Sequence, residues 1–117
     1  MVNTVERTVA AAAKVAHDLI LLSQPEIGEI SMRAGGSSAM AHKRNPTDAI
    51  RCLAAADACS GVASTITRAR PHELERAAGS WHAEWFALPA VFHTAGASLA
   101  SLVAAATSAT VSSSAPS

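Results

Sequence analysis

Tyrosine is absent from this chain, and large rings are scarce: 117 residues hold two Trp and two Phe. Aromatic side chains supply much of the buried area of ordinary cores, so the composition argues against a conventional small globular interior. Charge of one sign is also missing. Nine basic residues balance nine acidic ones, which gives no bulk attraction to nucleic acid or to an anionic membrane. Cysteine is limited to Cys52 and Cys59. Seven residues apart on a helix, they share a face at about 10 Å, too far for a disulfide between them, and a reducing compartment is the simpler setting. No basic segment leads into an apolar one at the start, so no signal peptide is expected. Residues 94–111 carry no charge but are mostly Ala, Ser and Thr, which reads as a tightly packed helix rather than a membrane span. The five histidines do not form HExxH and no CxxC occurs, so no metal site is expected. GxGxxG and GxxxxGK[ST] are incomplete, and no nucleotide cofactor is assigned.

What the chain does have is alanine, the strongest helix former, in helical spacing. One domain is the prior for this length. Val2, Val5, Val9, Ala12, Ala16 and Leu19 recur at intervals of three and four, which predicts a helix of about 20 residues, roughly 30 Å long, with a narrow apolar seam. Ser23, Gln24 and Pro25 end it. Residues 25–45 are mostly non-periodic and loop-like. A second helix is expected from Asn45 as N-cap, with Pro46 at the first helical position and Asp48 at the third. It runs to about Arg68, with Ile50, Cys52, Leu53, Ala54 and Ile66 as its apolar bulk, and Pro71 lies beyond. A third helix starts near Trp81, its seam carried by Phe92, Ala95, Leu99, Leu102 and Ala106. Pro89 is expected to kink that helix or to mark its first turn. The fold class is therefore all-α. Three alanine-rich helices of this kind do not close a monomeric core, so the chain reads as a piece of a larger helical assembly.

Between the first two helices lies the stretch Gly35-Gly36-Ser37-Ser38-Ala39-Met40-Ala41-His42-Lys43-Arg44-Asn45-Pro46. It concentrates glycines, hydroxyls and basic side chains as no other part of the sequence does. Lys43 offers a point charge, and Asn45 offers both a donor and an acceptor. Such groups can hold carboxylates and stabilise a developing carbanion or enolate. A serine flanked by amides and cations can exchange a proton with carbon. The plainer reading is an exposed loop that ends in a helix cap. Residue chemistry alone leaves both open.

The stretch from Gly36 to Pro46 closely resembles the signature GSSxMPxKxNP of the fumarase/aspartase/adenylosuccinate lyase superfamily, departing at one fixed position, Ala41 in place of Pro. Further on, Glu75-Arg76-Ala77-Ala78-Gly79-Ser80-Trp81-His82-Ala83-Glu84-Trp85 resembles the 3-carboxy-cis,cis-muconate cycloisomerase branch. Leu74 departs from the His frequent there. The resemblance implies a long-helix bundle fragment: residues 1–111 as a partial central helical domain with its signature loop at 33–46; the Ser-rich residues 112–117 read as a disordered tail. Family enzymes are far longer, and their central domains assemble into the core of a homotetramer with active sites shared among subunits.

The resemblance also implies roles. Ser37 matches the loop serine taken as general base in many superfamily lyases, and Lys43 the ligand of substrate carboxylate and transition-state charge. Ser38, Met40 and Asn45 match substrate-binding positions, with His42 and Arg44 as possible electrostatic support. Trp81 and Trp85 read most simply as packing aromatics between helices. The implied parent is a cytoplasmic, cofactor-free cycloisomerase acting on a polycarboxylate in aromatic-compound degradation, with no nucleic-acid or membrane partner. Two alternatives stand beside it: an adenylosuccinate- or argininosuccinate-type lyase releasing fumarate, and a noncatalytic helical oligomerisation fragment.

Overall fold

Heptad-spaced small residues build three helices, which a computed structural model of the chain describes over residues 1–31, 46–70 and 79–111. Helix α1 spans Val2–Leu22, α2 Thr47–Arg68 and α3 Ser80–Ser108. A two-residue strand β1, Ile30–Ser31, pairs antiparallel with β2, Thr110–Val111, in the register Ile30↔Val111 and Ser31↔Thr110. The helical class expected from the sequence is what the chain adopts.

The helices run up, down and up. Val2 and Val9 of α1 share a cluster with Ala56, Cys59, Ala63 and Ile66 of α2 and with Ala87, Val91 and Ala95 of α3. At the other end Ala12 and Ala16 meet Ala49, Cys52 and Ala105, with Leu19, Ile20, Ile30, Leu53, Leu102 and Ala109 packed around them. A hydrogen bond from Arg70 Nη2 to Asn3 Oδ1, 3.4 Å long, ties the end of α2 to the start of α1. The bundle measures 64 × 30 × 20 Å with a radius of gyration of 18.3 Å. A compact domain of this length has about 13 Å, so the molecule is a slab rather than a globule.

The seam expected on α1 is the one that packs. Val2, Val9, Ala12 and Ala16 are buried, with Val5 and Leu19 partly so. On α2 and α3 the bulky side chains were the wrong guide. Helix α2 buries Ala49, Cys52, Ala56, Cys59, Ala63 and Ile66, an unbroken alternation of three and four. Ile50 is exposed, as is Ala54. Helix α3 buries Ala87, Val91, Ala95, Ser98 and Ala105, and turns Phe92, Leu99 and Ala106 outward. Small residues win because they let two backbones approach closely, so the largest fully buried side chain among the described residues is a valine, Val91.

Boundaries moved where the backbone left helical geometry. Pro46 (φ −76°, ψ 73°) is the N-cap of α2, so Thr47, not Pro46, opens the helix. Its carbonyl accepts from Ile50 N–H at 3.0 Å. Helix α3 continues through Pro89, which is therefore not its first turn. Pro89 removes the bond that its N–H would give to the Trp85 carbonyl. Residues 94–111 are not one helix: Ala109 is extended (ψ 136°) and the β-branched pair Thr110 and Val111 forms β2. Nor is 25–45 wholly loop, since it includes β1. By length and composition alone, α2 and α3 are apolar enough to cross a membrane. Both pack against each other here through their small-residue seams. Asn45, the stop at Pro71 and the tail 112–117 lie outside the described residues.

Glycine at two points enables the turns. Gly28 (φ +62°) donates its N–H to Gln24 O at 2.7 Å and reverses the chain after α1. Gly79 (φ +91°) precedes α3, and its N–H donates to His82 Nδ1 at 3.3 Å. A side chain in either conformation is strained by roughly 1–2 kcal/mol.

The close α2/α3 contact yields a test. Ala63 is fully buried, and Ala63→Leu should lower stability by about 1–3 kcal/mol through overpacking. Ala58→Leu, on the exposed side of the same helix, should stay within about 0.5 kcal/mol. Thermal unfolding followed by circular dichroism compares the two; equal midpoints would contradict the small-residue seam.

Candidate active site

The sequence places the chemistry on Ser37, Ser38, Met40, His42, Lys43, Arg44 and Asn45, and all seven lie outside the described residues. What the structure does define is where their segment leaves and where it returns. It leaves from Ser31 at the end of β1 and returns at Pro46, the N-cap of α2. Ile30, one residue before the departure, and Ala49, three residues after the return, pack in the same cluster. That cluster also holds the C-terminal part of α1 and the end of α3. Both ends of the polar segment are thus held at one end of the bundle, where the positive end of the α2 dipole lies.

Away from that end, two open clefts run along α1. One, of about 430 Å³, lies between α1 and α2. Alanines and Val9 form its floor, and Glu6, Lys14, His17, Asp57 and Ser60 are among its polar lining. Lys14 Nζ donates to Asp18 Oδ2 at 3.1 Å within α1, and both side chains are exposed, so the pair is worth a fraction of a kcal/mol. The other cleft, about 300 Å³, lies between α1 and α3 and is nearly all apolar, with Val5, Phe92 and Leu99 among its walls. No group of His, Cys, Asp and Glu able to hold a metal ion occurs among the described residues. Neither cleft brings a nucleophile to a base.

Trp85 is not the interhelical core contact that the sequence suggests. Trp85 is 57% exposed. Trp81 meets it edge-on within α3, at a centroid distance of 5.4 Å, and the His82 ring lies 4.5 Å from Trp85. His82 makes its polar contact locally, with Gly79 N–H. Glu75 and Arg76, from the same motif, lie outside the described residues.

One buried polar residue escaped the sequence reading. Ser98 is fully buried, and its Oγ donates to Cys52 O at 3.0 Å. Cys52 Sγ sits 3.3 Å from the same Oγ, so with the hydroxyl proton on the carbonyl bond the thiol can donate to Ser98. Cys59 Sγ–H points to Val91 O at 3.7 Å. The signal was present as the seven-residue spacing of Val91, Ser98 and Ala105, hidden because a serine does not register in an apolar pattern. These contacts join α2 to α3, and both thiols are free.

Comparison with known proteins locates this geometry. No protein-family model matches the chain. The 3-carboxy-cis,cis-muconate cycloisomerase of Acinetobacter baylyi is 46% identical over 89 residues, 72% of this chain and 20% of that protein. The crystal structure of the 3-carboxy-cis,cis-muconate lactonizing enzyme from Pseudomonas putida superimposes with a TM-score of 0.82 at 33% identity. It covers 95% of this chain and 24% of the solved one. A fumarate lyase from Mesorhizobium sp. BNC1 gives a TM-score of 0.79 at 26% identity over 94% of this chain and 23% of its own. The chain spans about a fifth of the length of the curated relatives it matches.

Buried thiols make the packing of this region measurable. Cys52 and Cys59 should react with an aromatic disulfide reagent only as fast as the bundle opens, and at once in denaturant. Immediate labelling of both in native buffer would contradict the α2/α3 seam.

Proposed function

Because the chain belongs to the fumarase/aspartase superfamily, we propose that residues 1–111 form part of the central helical domain of a cycloisomerase. Its substrate is 3-carboxy-cis,cis-muconate or a close polycarboxylate. The observation that carries this reading is the 46% identity to a cycloisomerase over 89 residues, in a chain whose sequence includes Gly36-Ser37-Ser38-Ala39-Met40-Ala41-His42-Lys43-Arg44-Asn45-Pro46. The reaction is an intramolecular addition that needs no cofactor. One substrate carboxylate adds across a conjugated double bond to close a lactone, and a proton is delivered to the adjacent carbon. Lys43 and Asn45 hold carboxylates and the negative charge that develops. Ser38 and Met40 line the substrate, His42 and Arg44 add positive potential, and Ser37 belongs to the proton-transfer environment.

The chain by itself is not the catalyst in this reading. The relatives are about four times as long. The remaining groups come from other segments and from other subunits of a homo-oligomer, a tetramer by family precedent, working in the cytoplasm. A fumarate-releasing lyase is the second reading, supported by the likeness to the Mesorhizobium fumarate lyase. The same polar segment would serve both reactions, since each develops negative charge beside a carboxylate.

The test is a chimera in which this chain replaces the matched stretch of the Pseudomonas putida enzyme. It should consume 3-carboxy-cis,cis-muconate without releasing fumarate, whereas the chain alone should be inactive. Lys43→Met in the chimera should lower kcat/KM by about 10²–10³, the range for loss of one charge-stabilising group, with an unchanged melting temperature. Full turnover by that variant would remove Lys43 from the mechanism. Fumarate release from a succinyl-amine substrate would put the lyase first.

A further inference from the structure

Helix α3 carries a second apolar stripe that the packing of the bundle leaves uncovered. Its inner face gives Ala87, Val91, Ala95, Ser98 and Ala105 to the interior. On the opposite face Trp85, Pro89, Phe92, Gly96, Leu99 and Val103 repeat at intervals of four and three, and all six are exposed. That spacing keeps them on one line along the helix. Phe92, Gly96 and Leu99 also line the apolar cleft between α3 and α1, opposite Thr4, Val5 and Thr8. The Thr8 hydroxyl donates to Thr4 O at 2.9 Å, so it needs no polar partner from outside.

Gly96 is the member of the stripe that the chain's own packing does not explain. Glycine inside a helix weakens it relative to alanine. Among the described residues only Gly28 and Gly79 have positive φ, so Gly96 is not there for its backbone conformation. A Cβ at this position would meet no atom within 4 Å, so no neighbour within the chain forbids one. A missing side chain in the middle of an exposed apolar stripe lets a second backbone approach closely.

The stripe is also graded in size about that glycine. Trp85, Phe92 and His93 precede it, whereas Ala100, Val103 and Thr107 follow it. An antiparallel copy centred on Gly96 sets Trp85 against Thr107 and Phe92 against Ala100. The other pairs, Pro89 with Val103 and His93 with Leu99, are of similar size. Large groups thus meet small ones and the two axes keep one separation. A parallel copy would stack Trp85 on Trp85 and leave Ala100 facing Ala100, crowded at one end and gapped at the other. Trp85, Phe86, Phe92, Leu99 and Val103 together expose on the order of 500 Å², a patch size that marks interaction surfaces. Two copies would bury about 1,000 Å² between them, the lower limit for a specific interface.

We propose that the outer face of α3 is a self-association surface, on which a second copy of this chain lies antiparallel with the two α3 helices crossing at Gly96. The proposal rests on the reading of the chain as part of a homo-oligomer and adds the face and the orientation. Its two-fold symmetry makes the same stripe serve both partners.

Sedimentation equilibrium of the chain should show a monomer–dimer equilibrium in the micromolar range. Gly96→Leu should raise the dimer Kd about ten-fold or more by holding the backbones apart. At a concentration where the wild type is monomeric, the same variant should not lower the melting temperature, because the position faces open space within the chain. Cross-linking reads the orientation. Oxidised Gly96→Cys should form a disulfide-linked dimer, since residue 96 meets itself. Ala100→Cys should not, since it lies about 12 Å along the axis from its counterpart, beyond disulfide reach. Cys52 and Cys59 are buried in the inner seam, so the wild-type chain is the control. A dimer that Gly96→Leu leaves intact, or Ala100→Cys linking as readily as Gly96→Cys, would overturn the proposal. So would a wild-type chain that stays monomeric. The chimera then separates the two readings: an oligomeric chimera beside a monomeric chain sinks only the α3 pairing, and an active monomeric chimera sinks the homo-oligomer reading with it.

Discussion

The close contact of α2 with α3 through alanine, cysteine and serine is the constraint on which the rest of the structure depends. Ala49, Cys52, Ala56, Cys59 and Ala63 present almost no bulk, so the facing helix can come near only by offering Val91, Ala95, Ser98 and Ala105 in return. Each such residue buries little apolar area, and burial stabilises in proportion to area. The contact therefore needs length, and the bundle is long and thin. It also needs its few polar atoms satisfied. Ser98 meets that need by bonding to the Cys52 carbonyl, within reach of the thiol, rather than leaving a hydroxyl stranded between two helices.

That choice of seam pushes the bulky side chains outward. Phe86, Phe92, Leu99, Val103 and Trp85 on α3 and Ile50 on α2 are all exposed. In a chain that spans about a fifth of its relatives' length, large apolar groups at the periphery and small ones at the centre fit one layer of a thicker assembly. The narrow interior and the open clefts on both sides of α1 have the same origin, since three helices with thin seams cannot enclose space among themselves.

Three chain segments converge at one end of the bundle. The end of α1, the start of α2 and the end of α3 share one cluster with Ile30 and Ala109. The chain enters the polar segment after Ile30 and Ser31 and leaves it before Ala49, and Ile30 and Ala49 belong to that cluster. In the proposed reading lysine, asparagine and serine supply charge, hydrogen bonds and a transferable proton. Helix packing and a two-residue ribbon hold the described residues on either side of that segment.

The sequence by itself determined the helices, their approximate ends, and the polar segment that carries the resemblance. Alanine propensity and the spacing of Val2, Val9, Ala12 and Ala16 are local signals, and Gly36 to Pro46 is legible letter by letter. Tertiary structure decided what lies more than a turn away. It chose Ala87, Val91 and Ser98 over Phe92 and Leu99 as the buried face of α3, because a seam's depth is set by the partner it must approach. It also paired Ile30 with Val111 across 81 residues, and no local pattern announces a two-residue strand whose partner lies so far along the chain. The roles proposed for Ser37, Lys43 and Asn45 are legible only as chemistry and resemblance, because a role is a relation to groups in space, which neither periodicity nor spacing encodes.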